Sequence, residues 1–333
     1  MTVAVTGPTG EIGISTVSAL EREPDVDRIV GMARREFDPA VQNWTKTEYR
    51  RGDILDRAAV DALVAEADVV VHLAFLIMGG REQTRRVNLA GARNVFEAAA
   101  AHDRPRRLVY TSSVAAYGYP RDNPFPLTED VPARGSSQHY YSQQKADLEA
   151  LLEEITGPAP LDVYVLRPCI VAGPRATALA DFMPWNQLGS PLVGMTRTAG
   201  HVFPALRPLF PDPGVRVQLV HHDDVAAAIV AATLGRGTPG AYNLAGDGEV
   251  SLGEVAQAVG GRAVRIPHAA AIAASDILAR VPRVPWFAEW IHVARSSVVM
   301  DTGKAKRELG WQPAHTSAQA LAEMAAALPG GEG

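Results

Sequence analysis

Cysteine is almost missing from this chain, with Cys169 alone among 333 residues. A single thiol excludes an internal disulfide and fits a reducing compartment, so a cytoplasmic setting is expected. Long apolar runs are missing as well. Stretches such as Val225 to Leu234 are far too short to cross a bilayer, so no membrane partner is expected. The first strand-like run begins at residue 2, which leaves no room for a signal peptide. Basic residues are not in excess: 32 Lys and Arg face 37 Asp and Glu, a net charge of −5 with no basic stripe, which argues against a nucleic-acid partner. Repeats and low-complexity blocks do not occur. What remains, 47% hydrophobic and 21% charged, is an ordinary globular composition with enough length for one large or two modest cores.

Strand-like and helix-like patterns alternate through the first half of the chain. Strands are expected near 2–6, 28–33, 46–51, 68–73, 106–112 and 161–167, and helices near 11–22, 56–65, 82–102 and 138–155. Such alternation implies a Rossmann-like doubly wound parallel α/β sheet with a ligand at the carboxyl ends of the strands. Proline-rich sequence from Pro184 to Pro213 breaks the pattern, and strands resume near 216–220 and 240–243. The expected dinucleotide domain is therefore discontinuous, 1–168 plus 213–243. The remainder, 169–212 plus 244–333, is expected to form a smaller, mostly helical substrate lobe with a frayed tail from Pro329. Trp185, Phe203, Phe210, Trp286, Phe287 and Trp290 in that lobe would form its core or line an apolar pocket.

Between the first strand and helix lies Gly7-Pro-Thr9-Gly10-Glu11-Ile12-Gly13. Glycines are needed where the backbone turns sharply and comes close to a pyrophosphate, and the following helix presents free N–H groups and a positive dipole end. The spacing Gly-x-x-Gly-x-x-Gly is unusual, but its place between strand and helix is what phosphate binding demands. Further on, Tyr141 and Lys145 are four residues apart and share one helix face. A phenol titrates near 10, and a cation beside it favours the phenolate, which turns the pair into an acid/base. Tyr140 has Gln144 at the equivalent spacing and is not a candidate. A serine hydroxyl from the Thr111-Ser112-Ser113 segment can hold a carbonyl oxygen beside the phenol. Together these residues suit the movement of hydrogen on and off a carbon–oxygen bond. His221-His222-Asp223-Asp224 would be a tempting metal cluster, yet four consecutive residues cannot converge on one ion and a helix cap explains the aspartates. No metal is expected. Cys169 and His72 are expected as buried core residues.

With these motifs the chain resembles the extended short-chain dehydrogenase/reductase superfamily, in its epimerase/dehydratase-like branch. Val69-Val-Val-His-Leu73-Ala74, continuing to Phe75, resembles the fourth strand and cofactor-side loop of that branch. The helix from Asn88 resembles the one carrying its active-site asparagine, and Leu166-Arg-Pro168-Cys-Ile170 the segment flanking the nicotinamide. The late motifs His221-His-Asp-Asp, Tyr242-Asn-Leu-Ala-Gly and Lys304 to Trp311 extend the likeness over nearly the whole length. The resemblance implies Ser113, Tyr141 and Lys145 as catalytic residues, with Thr111 and Ser112 on the cofactor side. It implies Asp53 and Ile54 at the adenine, Lys145 at the nicotinamide ribose, and a homodimer packed through the helices near 82–102 and 138–155.

An acidic residue normally receives the NAD ribose at the end of the second strand, but here Ala33 stands there, followed by Arg34 and Arg35. Two guanidiniums suit a 2′-phosphate, so NADP is expected over NAD. Relatives acting on sugar nucleotides carry an asparagine where this chain has Ile170, and an arginine at the position of Val217, both on the diphosphate. Arg216 is one residue off and faces the other side of a strand. The expectation is an NADP(H)-dependent carbonyl reductase or alcohol dehydrogenase acting on a small or mid-sized, largely apolar ketone, aldehyde or secondary alcohol. The alternative is a nucleotide-sugar epimerase or dehydratase that keeps NAD tightly bound.

Overall fold

The computed structural model describes residues 1–77, 79–120, 122–181, 207–278 and 297–328. In chain order these form β1 (Thr2–Thr6), α1 (Glu11–Glu21), β2 (Arg28–Ala33), β3 (Thr47–Arg51), α2 (Arg57–Val64), β4 (Val69–His72), α3 (Arg81–Ala101), β5 (Arg107–Thr111), α4 (Tyr140–Thr156) and β6 (Asp162–Pro168). There follow β7 (Ile170–Ala172), α5 (Ala178–Asp181), β8 (Leu209–Asp212), β9 (Arg216–Val217), β10 (Leu219–His221), α6 (His222–Thr233) and β11 (Gly240–Leu244). The last described elements are β12 (Val250–Ser251), α7 (Leu252–Ala258), β13 (Arg262–Arg265), α8 (His268–Leu278), α9 (Gly303–Glu308) and α10 (Ser317–Ala327).

Seven strands build one sheet in the order β11-β6-β5-β4-β1-β2-β3, every pair parallel. A sheet covered on both faces needs apolar residues at successive positions, and β1 and β4 supply them as Val3-Ala4-Val5 and Val69-Val70-Val71, all fully buried. Their period of two divides the core. Val3, Val5, Val69 and Val71 join Val17 of α1 and Val225 and Ile229 of α6 on one face. Ala4 and Val70 join Val60 of α2, Phe96 of α3 and Leu148 of α4 on the other. Strand order reverses between β1 and β4, so a crevice opens beyond their carboxyl ends, between the glycine turn and the loop after His72.

The main departure from expectation lies after β6. Residues 216–221 do not enter the large sheet. Instead β10 pairs with β7 and β9 with β12, while β11 takes the edge beside β6 along Gly240–Leu244. Gln218, between β9 and β10, exchanges two hydrogen bonds with the Met300 backbone, at 2.8 and 3.3 Å. The described part of the smaller lobe is consequently mixed, since β8 also pairs with β13 beside α7. Phe210 packs against that lobe's core; Trp185, Phe203, Trp286, Phe287, Trp290 and the tail from Pro329 lie outside the described residues.

Candidate active site

The glycine turn is built for close approach. Gly7 adopts φ +76°, and a Cβ there would lie 2.9 Å from the Ala74 nitrogen. A Cβ on Gly13 would lie 2.1 Å from the Gly7 carbonyl oxygen, so the turn closes only with glycine at both places. Gly10 is the N-cap of α1 and offers no side-chain acceptor to the first-turn N–H groups. Thr9 and Ile12 are half-buried in this turn, and Gly10 and Glu11 are exposed. Across the crevice the Leu73 N–H donates to the Thr6 carbonyl (3.1 Å) and the Ala74 N–H to the Thr6 hydroxyl (3.4 Å). Burial drives the His72 pKa down to about 3, which makes it a neutral core imidazole bonded to Thr6.

Ser113 lies two residues past β5 and caps a short 3-10 turn, Val114–Tyr117, by accepting the Ala115 N–H at 3.2 Å. Its hydroxyl also hydrogen-bonds Tyr141 in the first turn of α4. One turn later the buried Lys145 ammonium donates to the Thr111 carbonyl at 3.0 Å and lies 4.0 Å from the centre of the Phe75 ring. Phe75 meets Tyr141 edge-on at 5.5 Å. Thus β5, α4 and the β4 loop bring Ser113, Tyr141, Lys145, Thr111 and Phe75 together at the mouth of the crevice. Burial lowers the Lys145 pKa to about 7, opposed by the Glu149 carboxylate.

The Tyr141 phenol departs from expectation. Burial raises its pKa, and the Ser113 hydrogen bond opposes this. The Lys145 ammonium is held by the Thr111 carbonyl and the Phe75 face, 6.0 Å from the Tyr141 ring centre.

Several residues expected at the cofactor are engaged elsewhere. The Ser112 hydroxyl donates to Glu149 at 2.5 Å. Asn88 spends its amide on the backbone of Leu76 (2.8 and 3.0 Å) and on Gln144 (2.9 Å), and Tyr140 donates to the Ile77 carbonyl (2.7 Å). These bonds latch the β4 loop to α3 and α4, so Asn88 holds the crevice wall. The Ile54 side chain is buried against Gly91, and its carbonyl accepts from Asn94. Asp53 accepts the Leu55 N–H, whereas the cap of α2 is Asp56. The Thr111 hydroxyl is buried with no hydrogen-bond partner among the described residues. Pro168 ends β6, and the half-buried Ile170 opens β7. Cys169 is buried between them and its thiol pKa is pushed up, so it is no nucleophile at neutral pH.

Arg34 and Arg35 are exposed at the end of β2, and neither guanidinium has a partner among the described residues. Sequence reasoning missed Arg51, which the parallel register sets beside Ala33 and which pairs with Glu36 at 3.1 Å. It also missed a buried network behind the site. Arg167 makes a two-pronged ion pair with Glu149 (2.6 and 3.1 Å) and donates to the Tyr117 hydroxyl (2.9 Å), which donates to Asn243 (2.7 Å). Glu149 is four residues past Lys145, a spacing that could have revealed it.

Fold and crevice define a Rossmann-like enzyme of dinucleotide-dependent type. The chain belongs to the NAD dependent epimerase/dehydratase family, whose model matches residues 3–245. It is 25% identical to the uncharacterized protein y4nG of Sinorhizobium fredii over 97% of this chain and 77% of that one. It is 33% identical to human 3 beta-hydroxysteroid dehydrogenase type 7 over 54% of this chain and 52% of that protein. In shape it resembles UDP-glucuronic acid 4-epimerase from Bacillus cereus, solved in complex with NAD, with a TM-score of 0.69, 18% identity, and 98% and 97% of the two chains covered. Among the described residues no helix is long and apolar enough to cross a membrane.

Proposed function

We propose that this protein binds NAD in the crevice between Gly7–Gly13 and Leu73–Phe75 and acts on a secondary alcohol carbon of a small molecule, in the manner of an epimerase or dehydratase. The observation that carries this reading is the meeting of Ser113, Tyr141 and Lys145 beside Phe75 at the carboxyl end of the sheet. The residues fit the cofactor: glycine alone fits at 7 and 13, and the uncapped first turn of α1 suits a pyrophosphate. When bound, NAD supplies a hydride acceptor and donor at its nicotinamide ring. Ser113 and Tyr141, already hydrogen-bonded to each other, can both reach one substrate oxygen. Ser113 orients it while Tyr141 takes or returns its proton. Lys145 holds a cation below that phenol and lies where the nicotinamide ribose would reach it. The family and the nucleotide-sugar epimerase seen among its solved likenesses support this mode over the carbonyl reductase expected from sequence.

A second reading, an NADP-linked reductase of an apolar carbonyl compound, is favoured by specific residues. Ala33 leaves no carboxylate to repel a 2′-phosphate, and Arg34 and Arg35 stand free to receive it. Val217 is buried on β9 while Arg216 is exposed, so neither offers a charge to a substrate diphosphate from inside the lobe. The likeness to a hydroxysteroid dehydrogenase points the same way. The proposal also keeps the expected homodimer through α3 and α4 and a cytoplasmic setting.

One experiment separates the two readings. The purified protein is denatured and released nucleotide identified, and a panel of carbonyl compounds is followed by NADPH absorbance. Retained NAD with no net turnover supports the epimerase mode. Steady NADPH consumption, weakened by Arg34→Ala plus Arg35→Ala with NADH unaffected, supports the reductase. Absence of nucleotide binding in both assays would sink the whole assignment.

A further inference from the structure

Tyr140 and Gln144 are four residues apart on α4 and share a face, turned about 100° from the face of Tyr141 and Lys145. An uncharged amide cannot act on a phenol as a cation does, so this second pair has no acid/base use. Both side chains are nonetheless buried, at 4% and 3% exposure, and both are spent on holding the loop after β4. We propose that Tyr140 and Gln144 are positioning residues, which anchor residues 73–77 and so set how tightly the crevice closes on a dinucleotide. The inference rests on the dinucleotide reading above and adds to it the residues that tune affinity.

The anchoring is a directed chain of donors. The Leu76 N–H donates to Asn88 Oδ1 (2.8 Å), and Asn88 Nδ2 donates to Gln144 Oε1 (2.9 Å). Gln144 Nε2 donates in turn to the Thr84 hydroxyl (3.2 Å), which donates to the Arg81 carbonyl (3.0 Å). Turning over either amide would set donor against donor, so each group fixes the orientation of the next. Asn88 Nδ2 also donates to the Leu76 carbonyl (3.0 Å), and the Tyr140 hydroxyl to the carbonyl of Ile77 (2.7 Å). Three bonds thus hold two consecutive loop residues, and the chain behind them runs through the buried Asn88, Gln144 and Thr84.

What these bonds hold is the crevice wall. Just upstream the loop backbone packs on the glycine turn so closely that a Cβ on Gly7 would lie 2.9 Å from the Ala74 nitrogen. Phe75 covers the Lys145 ammonium at 4.0 Å and meets Tyr141 edge-on at 5.5 Å. With Leu76 and Ile77 released, Phe75 would lose its stop, and the crevice width and the cover over Lys145 would vary together. The cost of fixing the loop would then fall on the incoming dinucleotide and appear as weaker binding. One face of α4 carries the chemistry, and the adjacent face holds the wall that frames it.

The test uses the full chain freed of bound nucleotide. Amide exchange over residues 73–77 is followed by mass spectrometry, and NADH and NADPH are titrated by their fluorescence. Tyr140→Phe and Gln144→Met should each weaken the better-bound nucleotide by about threefold to tenfold, the worth of one or two hydrogen bonds. Exchange in the loop should quicken by about the same factor, with β1 and β5 unchanged. Leu152→Ala, further along α4 in the core, should lower the melting temperature at least as far yet leave affinity within about twofold. Exchange that does not move, affinity that holds while the loop loosens, or an equal loss of affinity in Leu152→Ala would each overturn the proposal. A wild type that binds neither nucleotide would refute the dinucleotide reading itself and with it the role in affinity, while the exchange rates would still show whether Tyr140 and Gln144 anchor the loop.

Discussion

Replacing Lys145 by methionine should make the protein more stable while destroying its activity. Lysine in water titrates at 10.5, and burial among Thr111, Phe75 and Tyr110 brings Lys145 to about 7. At 1.36 kcal/mol per pH unit, that fall amounts to about 5 kcal/mol as the cost of holding the ammonium inside the fold. The sign follows from proton counting. Between pH 7 and 10.5 the unfolded lysine binds a proton that the folded one lacks, so wild-type stability rises across this window. Below 7 both states are charged and the penalty is complete; above 10.5 both are neutral and it vanishes. Methionine removes the penalty but abandons the 3.0 Å bond to the Thr111 carbonyl, and a stranded buried carbonyl costs about 1–3 kcal/mol. The net gain should be about 2–4 kcal/mol near pH 6 and should shrink toward zero or below near pH 10. Urea unfolding of ligand-free wild type and Lys145→Met at about pH 6, 8 and 10 gives the difference directly, since other titrations cancel. A gap that did not vary with pH, or a variant less stable at every pH, would refute the reasoning.

Tyr141→Phe keeps the ring against Phe75 but loses the hydroxyl, so cofactor affinity should hold while turnover falls by about 10²–10⁴, measured by calorimetry and steady-state assay. Glu149→Ala leaves the buried Arg167 uncompensated and should cost about 3–5 kcal/mol in chemical denaturation. The double variant Glu149→Leu plus Arg167→Met should cost distinctly less, and equal losses would mean the ion pair is not what holds these elements together. Because the Glu149 charge supports the Lys145 ammonium, Glu149→Gln should lower the Lys145 pKa further, visible as a downward displacement of that limb of the pH–activity profile.

The central strands of the large sheet were legible in the sequence because they are short apolar runs bounded by turn residues, and β1, β2 and β4 fall within a residue or two of expectation. The glycine turn was legible because sterics admit nothing else at Gly7 and Gly13. Direction was harder to read. Adjacent hydroxyls at Ser112 and Ser113 diverge at the strand end, and only the distant Glu149 explains where Ser112 points. Asn88 was placed at the cofactor, yet its partner Leu76 lies on a loop whose course no local pattern fixes. The β9–β10 segment is too short for its period to tell which sheet it joins. The contacts of Arg51 and Arg167 depend on register and packing between segments far apart, which leave no periodic trace.

The chain of polar contacts from Glu149 through Arg167 and Tyr117 to Asn243 also bears on the order in which a nascent polypeptide can mature. Ser113, Tyr141 and Lys145 all leave the ribosome well before Asn243, the acceptor of the Tyr117 hydroxyl, and before β11, the neighbour of β6. Asn243 in turn ties Leu127 and Asp301 through its amide. The turn after Ser113 therefore acquires its last buried partner only when β11, the edge strand of the large sheet, has been made. Synthesis finishes the chemistry-bearing residues early and part of their supporting scaffold late, so a chain cut short of β11 would carry every reactive group but lack the Asn243 anchor of Tyr117 and the edge neighbour of β6.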